Sequence, residues 1–535
     1  MSDLRAEAEA WLADDPDPAG RDELRAVLDD HQELQDRFAG PLTFGTAGLR
    51  GPLRAGPNGM NLAVVRGAAA GLVRWLEDSA VDGPLVVGYD ARHGSKAFAE
   101  ETARVAQGAG RRALLLPRPL PTPVLAFAVR HLNAAAGVMV TASHNPPQDN
   151  GYKVYLGDGS QIVPPADREI ERAIRAVGPL LDVPLGDAGE TLGEDVIDAY
   201  VDGALRTVEP EVPRDLVVAY TPMHGVGKDV FLRTITEAGY PAPAVVAEQA
   251  EPDPDFPTVS FPNPEEPGAT DLLLALATET GADIAIANDP DADRCAVAYK
   301  SDKAGAGWRL LRGDEVGVLL ADHLMRRGVK GRYATTIVSS SLLSRMCEAH
   351  GVPYGETLTG FKWIVRAGDD LVFGYEEALG YCVAPTHVRD KDGITAALLV
   401  CELAAGLKSE FKDLGDRLDE LALRHGVHAT DQLSVRVDDL ADIATAMATI
   451  RRRPPVELLD EPVHAVEDLL PDADVLIVRA GPTRVVVRPS GTEPKLKAYL
   501  EVVEPVVDGD VAAAREKARA SLAALRTETA QALGL

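Results

Sequence analysis

The chain has 535 residues, enough for roughly three to four domains at about 150 residues each, so a single small module is excluded. Apolar residues make up 46% and charged residues 26%, the profile of a soluble globular chain and not of a disordered, collagenous or membrane protein. Lys and Arg number 54 against 83 Asp and Glu, a net charge of −29. That charge disfavours long-range attraction to nucleic acid or anionic lipid, so an anionic substrate needs a local basic pocket.

Residues 1–40 carry helical spacing (Leu4, Ala8, Trp11, then Leu24, Val27, Leu28, Leu34) broken by DDPDPAG, which predicts a helical hairpin. From 85 onward short apolar strands alternate with helical stretches: LVVGY at 85–89, a helix after Ser95, RALLL at 112–116, a helix from Pro123, then AGVMV at 136–140 running into TASHNPP. This βαβαβ rhythm predicts an α/β fold with a largely parallel sheet. It restarts at LVVAYTPMHGVG (216–227) and again at GDEVGVLLADHL (313–324), so three successive α/β units are expected. After about 430 strands (LSVRV, VLIVRA, TRVVVRP, KAYLEVV) and two Ala-rich helices predict a smaller α+β domain. The expected partition is 1–40, 41–205, 206–310, 311–430 and 431–535, with Pro-rich loops at 252–267 and 454–462.

Cys295, Cys347, Cys382 and Cys401 form no CxxC pair, so neither a disulfide framework nor a structural zinc site is suggested. With no run of 18 uncharged apolar residues and an acidic N-terminal stretch, a reducing, cytoplasmic setting is expected.

Five segments carry chemistry. TASHNPP (141–147) follows a buried-type strand, with Lys153 ten residues beyond Ser143; ligands of open parallel sheets collect at strand carboxyl ends, which makes Ser143 a candidate nucleophile beside His144. Taken alone, it also reads as a common Ser-Asn-Pro turn. DPDADR (289–294) places Asp289, Asp291 and Asp293 at alternating positions of an extended loop, where they can converge on one hard cation. An EF-hand is excluded because Arg294 stands where its glycine belongs and Lys300 where its glutamate belongs. FGTAGLRG (44–51) is a glycine-rich segment with Arg50.

VVVRPSGTEPKLKAYLEV (485–502) gathers Arg488, Ser490, the amides of Gly491 and Thr492, and Lys495 and Lys497, the ingredients of a phosphate cradle. FGYEEALGYCVAPTHVRDKDG (373–393) sets Glu376 and Glu377 at a strand end ahead of His387, Arg389 and Lys391, suited to sugar hydroxyls and to an acid/base lysine. Each of the last two also reads as a charged surface turn.

Together, in this order, the five resemble the α-D-phosphohexomutase superfamily (phosphoglucomutase and phosphomannomutase), over nearly the whole chain. FGTAGLRG, YTPMHGVG and PNPEEPGA are most similar to the type-2 phosphoglucomutase and phosphopentomutase branch. The resemblance implies three related α/β domains and a C-terminal domain of the TATA-box-binding-protein-like type, heart-shaped around a shared cleft.

It implies that Ser143 carries the phosphoryl group and that Asp289, Asp291 and Asp293 hold Mg²⁺ together with an oxygen on Ser143. Arg50 and Arg294 would flank the transferring group; Lys153, His144 and Lys391 would be acid/base candidates. Arg488, Ser490, Gly491 and Thr492, with Lys497 nearby, would grip the phosphate that is not reacting, and Thr359, Gly360, Glu376, Glu377 and His387 would contact the sugar. The implied activity interconverts glucose 1-phosphate and glucose 6-phosphate, with glucose 1,6-bisphosphate as activator and intermediate, in a monomer or homodimer with no nucleic-acid or membrane partner.

One departure stands out: the family's sugar loop commonly reads GEESFG, and this chain reads YEEALG, with Ala378 in place of the serine. Phosphopentomutase, phosphomannomutase and hexose-bisphosphate synthase therefore stay open. Two other classes compete. An aspartyl-phosphate phosphatase would share the Asp289/Asp291 pair but needs Thr or Val where Asp293 stands, and a non-catalytic sugar-phosphate sensor would need a broken site.

Overall fold

The computed structural model describes residues 2–44, 48–301, 307–437, 440–490 and 495–534. It divides into two compact units, Met1–Leu311 with Gly380–Ser409, and Arg312–Leu379 with Glu410–Leu535.

In the first unit, strands Leu85–Tyr89, Ala113–Leu115 and Ala136–Val140 are buried at every position and pair in parallel. Unbroken apolar runs of this kind suit a sheet covered by helices on both faces. Strand Asp149–Leu156 then turns back antiparallel against Ala136–Val140, and Leu49–Pro52 pairs antiparallel beyond it. The sheet is therefore mixed, and the turn between its two central antiparallel strands is the TASHNPP segment. A second sheet places Ile284–Ala287 between parallel Val218–Thr221 and antiparallel Ala296–Ser301. Its central strand delivers the chain directly into DPDADR.

In the second unit, Arg332–Thr336 lies between parallel neighbours Tyr354–Thr357 and Leu371–Glu376. A separate antiparallel sheet runs Val427–Arg436, Lys495–Glu504, Thr483–Pro489, Leu476–Ala480, Ala465–Asp468. Helices Leu440–Arg452 and Val511–Ala532 accompany it.

Four expectations meet differences. The N-terminal segment holds three helices, Ser2–Asp14, Pro18–Ala26 and His31–Arg37. Asp30 caps the third by accepting from the Gln32 and Glu33 amides, which restarts a helix where the apolar spacing alone reads as continuous. Burial of Leu24 and Leu34, worth about 1.5–3 kcal/mol each, holds this cluster together. The Pro-rich stretch at 454–462 contains a tight hairpin, Glu457–Leu458 with Glu461–Pro462. Its turn residues Leu459 and Asp460 take φ of +51° and +62°, the geometry a two-residue hairpin demands.

The boundary expected at 430 falls inside strand Val427–Arg436, whose ten-residue register against Lys495–Glu504 places 427–430 with the final sheet. Lastly, Gly380–Ser409, expected with the third α/β segment, belongs to the first unit. Helix Gly393–Ser409 is buried along almost its whole length, and the Gly393 amide donates to Ala292 O.

Candidate active site

Ser143 sits three residues past strand Ala136–Val140, 1% exposed, with φ +52°. Its amide donates to Thr141 Oγ1 (2.9 Å) and its hydroxyl to Asp289 Oδ2 (2.8 Å). His144 Nδ1 lies 3.2 Å from the same hydroxyl. Burial, reinforced by Arg294 and Arg50, pushes the His144 imidazole well below its ordinary pKa, so it stays neutral and able to accept a proton.

Asp289, Asp291 and Asp293 are fully buried, and one carboxylate oxygen from each lies within 4.8 Å of the others. The loop that carries them is tied down from inside. Asn288 Nδ2 donates to Arg294 O (2.6 Å) and its Oδ1 accepts from Tyr220 (2.9 Å). Gly225 fits under Pro290 only because it lacks a side chain, since a Cβ there would stand 2.3 Å from Pro290 Cα. Thr122 adds a hydroxyl on Asp291 Oδ2 (2.7 Å).

Lys153, on strand Asp149–Leu156 opposite Met139, reaches Asp291 (2.7 Å) and Asp293 (3.0 Å). Lys391 reaches Asp293 at 3.2 Å.

Burial by itself would raise all three acids. Lys153 reverses this for Asp291; at Asp293, Lys153, Lys391 and Arg294 together hold the carboxyl far below its usual range. Asp289 pairs with no lysine among the described residues and is driven well above its usual value by burial and by its two acidic neighbours. Burial alone would lower Lys153, but Asp291 and Asp293 hold it above its ordinary value. Three buried acids that cannot all ionise side by side suit a divalent cation. Among the described residues, Oδ1 of Asp291 and Oδ1 of Asp293 are buried without a hydrogen-bond partner, which fits the role of ligands. The residues present therefore suit a hard metal ion.

Arg50, on the edge strand opposite Gly151, donates to Asn145 Oδ1 (3.2 Å), and its Nε is buried without a hydrogen-bond partner among the described residues. Arg294 Nε stands 3.9 Å from both Asp289 and Asp293. A phosphoryl group on Ser143 would thus meet two guanidinium groups, two lysines and the acid cluster. Lys391 is delivered by a pinned loop: Asp390 accepts from Tyr155 (2.8 Å) and Gln161 (2.8 Å), and Asp392 accepts from Tyr200 (2.9 Å).

His387, expected at the sugar, packs instead among rings, with its centroid 5.0 Å from Phe127 and 5.0 Å from Tyr200. Burial, with Arg206 and Arg130 nearby, lowers its pKa to about 4. Gly203 leaves space for its ring, which gives it a packing role within the first unit. Arg389 Nη1 lies 3.7 Å from Asp158.

In the second unit, parallel strands bring Thr336, the Thr359–Gly360 pair and Glu376 to one sheet edge, the usual ligand edge of such sheets. Glu377 Oε2 accepts from Ser339 (3.0 Å) and Thr336 (3.3 Å), and Gly360 has φ +110° ahead of helix Phe361–Ile364. Arg488 stands directly across from Lys497, two basic residues at facing positions of neighbouring strands. The Ser490 amide donates to Lys495 O (2.8 Å). Gly491 and Thr492 lie outside the described residues, as do Gly45, Thr46 and Ala47 of the glycine-rich segment.

The sequence reading missed Arg92, Thr122 and Asn288, which support the site without belonging to its motifs. Position was the available signal: Arg92 and Asn288 each follow a buried strand at the sheet edge where the motifs lie.

Four domain descriptions match in order: phosphoglucomutase/phosphomannomutase alpha/beta/alpha domains I (41–179), II (198–304) and III (312–423), and the C-terminal domain (434–518). The chain is 46% identical over 455 residues to a Haemophilus influenzae protein named "Probable phosphomannomutase", covering 83% of this chain and 93% of that one. It is 32% identical over 574 residues to the phosphopentomutase of Mus musculus, covering 95% and 91%. A candidate phosphomannomutase solved from Thermus thermophilus superposes with a TM-score of 0.71 at 29% identity, covering 90% of this chain and 99% of that one. With all four domains present in order and the acidic triad assembled beside the serine, the chain belongs to the phosphoglucomutase/phosphomannomutase family of the α-D-phosphohexomutase superfamily, isomerases that transfer a phosphoryl group intramolecularly.

Proposed function

We propose that the protein interconverts glucose 1-phosphate and glucose 6-phosphate through a phosphorylated Ser143. The observation that carries this reading is the Ser143 hydroxyl, buried 2.8 Å from Asp289 with Lys153 and Lys391 on the neighbouring acids. Phospho-Ser143 transfers its phosphoryl group to the free hydroxyl of the sugar monophosphate: the Ser143 Oγ–P bond breaks, a sugar O–P bond forms, and the hydroxyl proton passes to a base. Neutral His144 is placed to accept that proton, and Lys153, held in its charged form, is placed to return one, with Lys391 as the third acid/base candidate. The resulting bisphosphate, here glucose 1,6-bisphosphate, then returns its other phosphoryl group to Ser143.

Arg50 and Arg294 neutralise charge on the transferring group, which counts for more in phosphoryl transfer than covalent chemistry does. Arg488, Ser490, Gly491, Thr492 and Lys497 hold the spectator phosphate; Thr359, Gly360, Glu376 and Glu377 orient the sugar. Mg²⁺, held by the three aspartates and an oxygen on Ser143, supplies further charge neutralisation when bound.

Ala378 favours a second reading. Without a hydroxyl at this place, the loop makes one polar contact fewer to a hexose, and the names of the relatives extend to mannose and pentose phosphates. A panel of glucose, mannose and ribose 1-phosphates, each supplied with its bisphosphate, separates the readings. Highest kcat/KM on glucose 1-phosphate supports the first; highest on ribose or mannose 1-phosphate supports the second; release of inorganic phosphate in place of isomerisation overturns both.

A further inference from the structure

We propose that Arg92 is a positioning residue that fixes the backbone of the carrier-serine loop and ties it to the metal loop. It is 4% exposed, just beyond strand Leu85–Tyr89. Its Nη2 donates to Ser143 O (2.6 Å) and Asn145 O (2.5 Å), and its Nη1 to Pro146 O (2.8 Å) and Asp149 O (3.2 Å). One guanidinium thus serves four carbonyls across the whole turn. A planar fork of donors can do this, whereas a lysine ammonium presents a single compact charge.

The turn needs such support. Ser143 has φ +52°, a conformation that non-glycine residues hold only when their surroundings impose it. Arg92 is itself held from two sides. Its Nε faces Asp90 Oδ2 at 3.5 Å, and its Cζ stacks 4.8 Å from the centroid of Phe256.

Phe256 lies in the Pro-rich loop at 252–267, and this loop leads to the aspartates. Asp255 meets His93 Nε2 at 2.8 Å. The Asp253 amide donates to His224 O, and the Val226 amide to Pro290 O (2.8 Å). The contacts therefore run from the Ser143 turn through Arg92, Phe256 and the YTPMHGVG loop to DPDADR. Arg92 touches main-chain oxygens of the turn, so it acts through the placement of Ser143 relative to Asp289.

This inference rests on Ser143 being the phosphoryl carrier, so the experiment begins with the wild-type full-length enzyme. If incubation with glucose 1,6-bisphosphate leaves no phosphate on its Ser143, the functional reading fails. With that established, Arg92→Ala is expected to lower kcat on the order of 10²-fold, the usual cost of a misplacement of about 1 Å, with KM close to wild type. Millimolar guanidinium should restore part of kcat in the variant and none in the wild type. Unchanged kcat, a loss confined to KM, or a folded variant that guanidinium does not rescue would overturn the inference. Should Arg92→Ala not fold, Arg92→Lys retains the charge and most of the stem; wild-type kcat there overturns the inference, and reduced kcat at unchanged KM supports it.

Discussion

The Ser143 hydroxyl donates to Asp289 Oδ2 across 2.8 Å although 146 positions separate the two residues. Two different sheets each bring a loop past a strand end, and the loops meet at this bond. Ser143→Ala is expected to abolish mutase turnover by several powers of ten, since removal of a covalent nucleophile disables every step that depends on it. Intact-mass spectra after incubation with glucose 1,6-bisphosphate should show one added phosphate on the wild type and none on the variant.

The acid cluster predicts a metal-dependent stability. Binding of Mg²⁺ at about a hundredfold excess over its Kd stabilises a folded protein by about 2.7 kcal/mol, so the melting midpoint should rise with Mg²⁺ and fall with chelator. Asp291→Asn removes one ligand charge and should blunt both the thermal shift and turnover. A thermal shift of wild-type size in Asp291→Asn would contradict the assignment.

The phosphate cradle and the transfer site should separate kinetically. Losing a bidentate arginine contact to an anion costs about 1.5–3 kcal/mol, so Arg488→Ala should raise KM by one to two powers of ten for every sugar phosphate. Phosphorylation of Ser143 by a small donor with no second phosphate should be spared. Arg50, whose Nε is buried beside the Ser143 turn, should show the opposite pattern on substitution with alanine, with slowed transfer from any donor.

Asp314 predicts a pH-dependent stability in the second unit. It is buried, accepts from the Ser340 amide (2.7 Å), Tyr375 (3.2 Å) and Thr430 (3.0 Å), and burial raises its pKa from 3.8 to about 7. A folded-state pKa above the unfolded value means that the contribution is fully present below pH 3.8 and is lost as pH rises through about 7. Asp314→Asn removes this titration and keeps an amide oxygen to accept from the Ser340 amide. The variant should therefore gain on the wild type as pH rises from about 4 to 8, by a few kcal/mol at roughly 1.4 kcal/mol per pKa unit. Thermal melts at the two pH values measure it.

Much of the fold was legible in the sequence because apolar runs and their spacing are local properties. AGVMV and DIAIAN are buried strands where their composition placed them, and TASHNPP and DPDADR follow them at the sheet edge. The restart at His31 and the hairpin at 457–462 were less legible. One depends on a single capping carboxylate, and the other on two residues with positive φ that are not glycine.

Only the tertiary structure decided which partners those loops meet. Residue spacing cannot show that Lys391, 98 positions beyond Asp293 in the chain, stands 3.2 Å from it, because Gly380–Ser409 leaves the segment it follows to pack in the first unit. Nor can it distinguish His387 from Lys391 within one charged stretch: the aromatic ring found space beside Gly203, while Asp390 and Asp392 pinned the lysine toward the acids. Strand and turn preferences are written in neighbouring residues, whereas the burial of three carboxylates and the lysines that compensate them is a property of chain segments brought together only by folding.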